Sequence, residues 1–248
     1  MQDVDSGKVK VRTAAIVLAA GKGRRMGGDV RKQFLLLDGK PVLYYSLKAF
    51  EESQVDCMIL VTAPEDMDYC REEIVRSNGL QKVAAIIPGG RERYHSVFEG
   101  LKKVQELWGG NEGCILIHDG ARPFINTDII TRAVVDAISY QACVIGMPVK
   151  DTIKIADAYG YAKITPNRAD VWMIQTPQAF SGQLICSAYD KLMSREEYQL
   201  GITDDAMVVE SMTDCPVKLT EGSYENIKVT TPEDMAVAEA FLRRKRQI

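Results

Sequence analysis

A chain of 248 residues that is 46% hydrophobic carries enough apolar mass for one sizeable core. Its 31 basic and 34 acidic side chains leave a formal charge of −3, which argues against nucleic acid as the main partner, since backbone binding requires an extended basic face. The sequence contains no secretory-leader pattern and no apolar run of about 18 residues, so no membrane partner is expected. The six cysteines (57, 70, 114, 143, 186 and 215) form no C-x-x-C pair and are expected to be reduced, mostly buried thiols in a cytoplasmic protein. His95 and His118 lack metal-ligand spacing, so no zinc site is expected.

In chain order, the apolar run at 13–18 reads as a buried strand that feeds a small-residue turn, Ala19-Ala20-Gly21. The loop beyond it is crowded with charge. From Lys22 to Lys32 there are five cations (Lys22, Arg24, Arg25, Arg31 and Lys32) and one acid, Asp29. Gly21 and Gly23 let backbone N–H groups approach a ligand closely, and amides so arranged bind anions. Cations and open amides at the end of a buried strand suit a polyphosphate. Spacing separates the motifs that could claim this loop. A Walker A loop needs Gly-Lys-Ser/Thr, whereas Gly21-Lys22 is followed by Gly23 and Gly39-Lys40 by Pro41. A dinucleotide-binding turn needs a third glycine three positions on; here it is displaced to Gly27, and the next strand-like run, 57–62, comes too late. The nucleotidyltransferase signature, two small residues then Gly-x-Gly-x-Arg-Met and later Lys-Gln, fits residues 19–26 and Lys32-Gln33 without a gap.

Helical patterns follow near 41–52, 65–77, 92–107 and 127–139, alternating with strand-like runs near 57–62, 83–87, 114–118 and 142–147. This rhythm predicts an α/β fold of three layers, a mostly parallel sheet between helices, with ligands bound beyond the carboxyl ends of the strands. Two clusters stand at such ends. Pro88-Gly89-Gly90-Arg91-Glu92-Arg93 is a glycine turn into a helix that carries Ser96, and its backbone can read a base edge or simply turn the chain. Asp119 follows the run 114–118 and precedes Gly120-Ala121-Arg122; it reads equally as a turn residue or as a hard oxygen ligand for Mg²⁺ shared with phosphates.

The rhythm breaks at 152–165, where two short strands flank Ala158-Tyr159-Gly160 as a hairpin. Thr203-Asp204-Asp205 reads as a helix start with acids in its first turn. A strand is expected near 226–229, with Lys228 between Ile227 and Val229; a lysine there is costly to bury unless an anion meets it. Thr231 as N-cap, Pro232, Glu233 and Asp234 then open a last helix, and Arg243-Arg244-Lys245-Arg246 closes it as cations at a helix C-terminus. The whole chain, 1–248, is expected as one domain with an arm at about 150–170.

Taken together, the segments AAGKGRRM, RKQF, PGGRER with Ser96, HDGARPF, PVKDTIK, QTPQAF, ITDDA and ENIKVTTPED run from about residue 14 to 241. In that order they resemble the 2-C-methyl-D-erythritol 4-phosphate cytidylyltransferase family. The resemblance implies a Rossmann-like nucleotidyltransferase fold and a reaction of CTP with methylerythritol phosphate giving the CDP-alcohol and pyrophosphate. It implies Arg25 and Lys32 as the cations that stabilise the transition state. Ala19, Ala20, Gly21, Gly23, Gly90, Ser96 and Lys228 would bind the nucleotide, and Asp119 would hold Mg²⁺ or another divalent cation. Asp119, Arg122, Thr152, Arg168 and Lys228 would bind the sugar phosphate, with Thr152 and Arg168 carried on an arm that reaches the partner site of a homodimer. Two positions depart from the family pattern: Gly120 stands where alanine is commoner, and Arg91 where an acid or small residue is. Ala121 and Lys150-Asp151-Thr152 favour this family over the related ribitol 5-phosphate cytidylyltransferases. The displaced third glycine speaks against a nicotinamide-dependent oxidoreductase, and the presence of both Arg25 and Lys32 against a non-catalytic nucleotide-binding module.

Overall fold

A computed structural model describes residues 11–21 and 31–246. Gly23 and Arg25, both expected in the site, therefore lie outside the described residues. Strand β1 (Thr13–Ala19) is buried along nearly its whole length, as a central strand covered on both faces must be. A small ribbon, β2 (Leu36–Leu37) and β3 (Lys40–Pro41), leads into α1 (Val42–Glu51) and β4 (Cys57–Thr62). Helix α2 (Met67–Tyr69) widens into a π-helical stretch, Cys70–Arg76, before β5 (Val83–Pro88). Then come α3 (Arg93–Trp108), β6 (Cys114–Asp119), α4 (Thr127–Tyr140) and β7 (Ala142–Pro148). These elements match the expected alternation.

The hairpin is present as β8 (Ile155–Ala156) and β9 (Ala162–Ile164), a separate two-stranded ribbon exposed along its length. Its turn is tied by Asp157, whose carboxylate accepts from the backbone N–H groups of Tyr159 and Tyr161. Beyond it the chain builds elements that the sequence pattern does not locate. These are the long strand β10 (Trp172–Ser181), α5 (Gly182–Met193) and the edge strand β11 (Lys218–Glu221). Helix α6 (Asp205–Met212) begins where expected, with the Asp204 carboxylate accepting from Met207 N. Helix α7 (Pro232–Lys245) carries the expected capping box: Thr231 Oγ1 accepts from Asp234 N, and the Asp234 carboxylate accepts from Thr231 N.

The main sheet has seven strands in the order β11-β7-β10-β6-β1-β4-β5. All neighbours pair in parallel except β10, which runs antiparallel to both β6 and β7. Alternate residues of β1 serve opposite faces. Ala15 and Val17 pack with Leu43, Leu47 and Phe50 of α1 and with Ile129 and Ile130 of α4. Ala14 and Ile16 pack with Val97 and Leu101 of α3 and with Ile185 and Tyr189 of α5. Each fully buried Ile or Leu side chain stabilises this sandwich by about 1.5–3 kcal/mol.

One expectation is corrected. Residues 226–229 belong to no sheet; they run extended, with Val229 N donating to Ala121 O at 2.8 Å. The apolar alternation there has another cause: Val229 is buried, and Ile227 partly so, in the cluster that docks α7 through Phe124, Ala238 and Phe241. That docking sets Lys228 beside the carboxyl end of β6.

Candidate active site

A cleft of about 870 Å³ opens at the carboxyl ends of β1, β5 and β6. The turn after β1 forms one wall. Gln33, in the middle of the 32–34 turn, folds back and donates to Ala19 O at 2.5 Å and to Gly21 O. Arg31 is held by Glu65 and Asp66, which follow β4. Lys32 is thereby set on the cleft wall beside Ala19, Ala20 and Gly21.

The opposite wall is the turn after β5. Gly90 N donates to Ser96 Oγ at 3.1 Å, and that hydroxyl donates to Glu92 O at 3.2 Å, so Ser96 fixes the turn from the first turns of α3. The close approach explains the glycine pair. A Cβ on Gly89 would stand 2.6 Å from Ala20 Cβ and 2.9 Å from Ser96 Oγ, and one on Gly90 would stand 2.3 Å from His95 Cβ. The two walls thus approach each other closely at Ala20 and Gly89.

Asp119 ends β6 on the cleft floor, and three cations surround it. Lys228 Nζ lies 2.7 Å from Asp119 Oδ2, Arg93 Nε lies 3.6 Å from Oδ1, and Arg122 Nε lies 4.0 Å from Oδ2. The lysine thus meets an anion, as its apolar neighbours required, and that anion belongs to the protein. Burial alone would raise the Asp119 carboxyl; the pull of Arg93, Lys228 and Arg122 outweighs it and holds the group well below the usual carboxylate range. Asp119 is therefore charged at any physiological pH. Its backbone is fixed too, because Asp119 N donates to Thr176 Oγ1 at 3.0 Å. Arg122 is anchored by Nη1 on Asn226 O at 2.8 Å, while its buried Nε makes no hydrogen bond.

Of the other acids, Glu92 also lines the cleft, while Asp204 and Asp205 are engaged in α6. Asp204 caps α6, and Asp205 is fully buried against Arg93. Among the described residues no group of three or more metal-ligating side chains occurs. The Asp119 carboxylate on the cleft floor still fits magnesium, which takes one or two carboxylates and completes its shell with phosphate oxygens and water. The other reactive groups are quiet. Burial lowers His118 to about 3 and raises the thiols of Cys114 and Cys143 to about 12, so none is poised as a base or nucleophile at neutral pH.

Thr152 and Arg168 lie on the exposed arm and do not line this cleft; Arg168 Nη1 donates to Lys150 O. Gly120 is tightly placed: a Cβ there would stand 2.7 Å from Leu43 Cδ1 and 3.0 Å from Leu18 O, so alanine would crowd the end of β6. The structure adds Gln33, Arg93 and Thr176 to the site and makes Asp205, expected only as a first-turn acid of α6, the partner of Arg93. All four stand inside quoted motifs, but their partners are remote in sequence and only the fold brings them together.

A family model described as 2-C-methyl-D-erythritol 4-phosphate cytidylyltransferase matches residues 13–244. The protein of that name from Lachnospira eligens is 51% identical over 230 residues, spanning 92% of this chain and 98% of its own length. Its counterpart in Caldanaerobacter subterraneus is 45% identical and spans 94% of this chain and 100% of its own length. Among solved structures, 4-diphosphocytidyl-2C-methyl-D-erythritol synthase from Anaerococcus prevotii superposes with a TM-score of 0.80 at 33% identity, covering 94% of this chain and 96% of that one.

Proposed function

The chain belongs to the 2-C-methyl-D-erythritol 4-phosphate cytidylyltransferase family, and from that premise we propose how its cleft divides the work. The reaction transfers CMP from CTP to 2-C-methyl-D-erythritol 4-phosphate, a step of the non-mevalonate isoprenoid pathway. A phosphate oxygen of the sugar attacks the α-phosphorus of CTP, the bond to the bridging oxygen breaks, and pyrophosphate leaves. The nucleophile is already an anion, so no general base is needed, in keeping with a His118 that burial holds neutral. The barrier is the approach of two polyanions and the charge that builds on the transferring group. Fixed cations and preorganised amides oppose both.

In our reading the cytosine occupies the cleft between Ala20 and the Gly90–Ser96 turn, and the triphosphate lies along Ala19 to Gly23. Lys32 and Arg25 would supply the positive charge that opposes the charge growing in the transition state. Arg122 and Lys228 take the sugar phosphate; in leaving Asp119 for that phosphate, Lys228 exchanges one anion for another. Asp119 would hold a magnesium ion, which when bound supplies further positive charge on the phosphates. The observation that carries this reading is the charged Asp119 under three cations on the floor of a glycine-walled cleft.

We further propose a homodimer completed by the arm. Ile155, Tyr159, Tyr161 and Ile164 expose apolar surface there, and an isolated two-stranded ribbon is marginal in water unless it packs on something. A two-fold partner would cover it and bring Thr152 and Arg168 to the other chain's cleft. The single-domain reading is supported by one seven-stranded sheet that runs from β1 to β11. Six free thiols support a reducing compartment, the cytoplasm, and no described helix is long and apolar enough to cross a membrane. The test of function is pyrophosphate release from CTP with methylerythritol phosphate and with ribitol 5-phosphate in parallel. Turnover with the first and little with the second is expected; the reverse would refute the substrate assignment.

A further inference from the structure

The three cations around Asp119 are not held alike. Lys228 reaches it on a flexible stem whose side chain is 36% exposed. Arg122 stands off at 4.0 Å. Arg93 is bolted from behind: Nη1 donates to Asp205 Oδ1 at 2.8 Å and Nη2 to Asp205 Oδ2 at 2.7 Å, a two-pronged geometry that only a guanidinium can make.

The bolt is itself fixed. Asp205 is fully buried and receives Tyr189 Oη–H at 2.6 Å. Its backbone N–H, and that of Ala206, donate to Gln178 Oε1 on β10 at 2.9 Å, while Gln178 Nε2 donates to Asp204. Arg93, the first residue of α3, thus joins α3, α5, α6 and β10 through one carboxylate and still presents Nε to the cleft. A core that needed only cohesion would be served as well by apolar side chains of the same volume, since a buried ion pair adds little stability over them. What apolar packing cannot supply is a cation of fixed position beside Asp119.

We propose that Arg93 is a positioning residue of the transfer site. Anchored by Asp205 and Tyr189, it keeps Asp119 paired and oriented when Lys228 turns to the substrate phosphate. Arg93 is the permanent counter-ion of Asp119, and Lys228 the exchangeable one. This inference rests on reading the cleft as the transfer site.

The test is a double-mutant cycle in the full-length chain, with Arg93→Lys and Asp119→Asn made singly and together. Lysine keeps the charge but cannot hold Asp205 with two prongs and face Asp119 at once. On its own, Arg93→Lys is expected to lower kcat by roughly 10–100-fold, the size found for partners that orient a ligating group, with KM for CTP changed by less than about threefold. In the Asp119→Asn background the same change is expected to lower kcat by less than about threefold, because the group it positions has lost its function. A merely structural role would give equal falls in both backgrounds, and that result, or an unchanged kcat in Arg93→Lys, overturns the proposal. If Arg93→Lys does not fold, Tyr189→Phe decides: a several-fold loss of kcat at constant KM supports the bolt, and an unaltered kcat refutes it. An unmodified chain that releases no pyrophosphate would strike the functional reading instead.

Discussion

Replacing Asp119 by asparagine separates the two jobs of this carboxylate, because its effects on stability, binding and turnover differ in sign. Arg93, Arg122 and Lys228 give three positive charges against Asp119 and Asp205, a net of +1 that the substitution raises to +2. Removing one member of a fully buried pair costs about 3–5 kcal/mol. Here the side chains of Lys228 and Arg93 are 36% and 29% exposed, so water recovers part of that loss. We expect about 1–3 kcal/mol, a fall in Tm of roughly 2–12 °C for a chain of this size. Ground-state binding should not suffer, since the added positive charge attracts phosphates and KM for CTP stays level or falls. Turnover should drop by roughly 10²–10³, the cost of losing one preorganised charge at a reacting polyanion. Thermal melts and steady-state pyrophosphate release at saturating magnesium measure all three quantities. A kcat within about threefold of the unmodified protein, or a raised KM at full kcat, would refute the assignment of Asp119.

The other predictions concern the loop, the buried histidine and the arm. Lys32→Ala and Arg25→Met should each lower kcat by roughly 10²–10³ and weaken substrate binding far less; steady-state kinetics showing a raised KM with normal kcat would mean that the loop only holds the ground state. Burial lowers His118 to about 3, against about 6.5 in the unfolded chain, so between those values the unfolded state binds more protons and stability rises with pH. Going from pH 7 to pH 5 should therefore cost about 2 kcal/mol through this group alone. Urea unfolding of His118→Gln should show that part of the slope removed, and an unchanged slope would contradict the burial account. Mixing Arg25→Met with Arg168→Ala under subunit exchange should restore up to about half of the sites in mixed dimers, since one cleft collects both defects and the other neither. No recovery, with exchange verified, would return Arg168 to its own subunit or to no site.

Where the sequence was legible, each signal had one local cause. β1, β4, β6 and β7 are apolar runs buried on both faces, and α7 announces itself through Thr231, Pro232 and Asp234. Asp119 was legible as a strand-end residue, where this architecture collects ligands, and Lys32 through the spacing of the nucleotidyltransferase signature; both line the cleft. β10 was obscured by Pro177, which argues against a central strand; the chain accommodates it with a register break between Ile174 and Gln178. β11, only Lys218–Glu221 with Leu219 as its one apolar residue, carries too little pattern to detect. At 226–229 the alternation was real, but it recorded docking on α7 rather than pairing in a sheet. The pairing of Arg93 with Asp205 spans 112 residues and has no periodicity to betray it.

The arm leaves and rejoins the sheet at a single point. Pro148 on β7 pairs with Trp172 on β10, and Val149 N donates to Val171 O just beyond. Everything between is therefore a closed detour of about twenty residues that a turn of about four could replace without altering strand order. Such a loop costs more to close by a little over two doublings of length, about 1.4 kcal/mol. In the proposed homodimer that cost would be offset where the arm packs on the neighbouring chain, so shortening the arm to a tight turn would weaken association while leaving strand order intact.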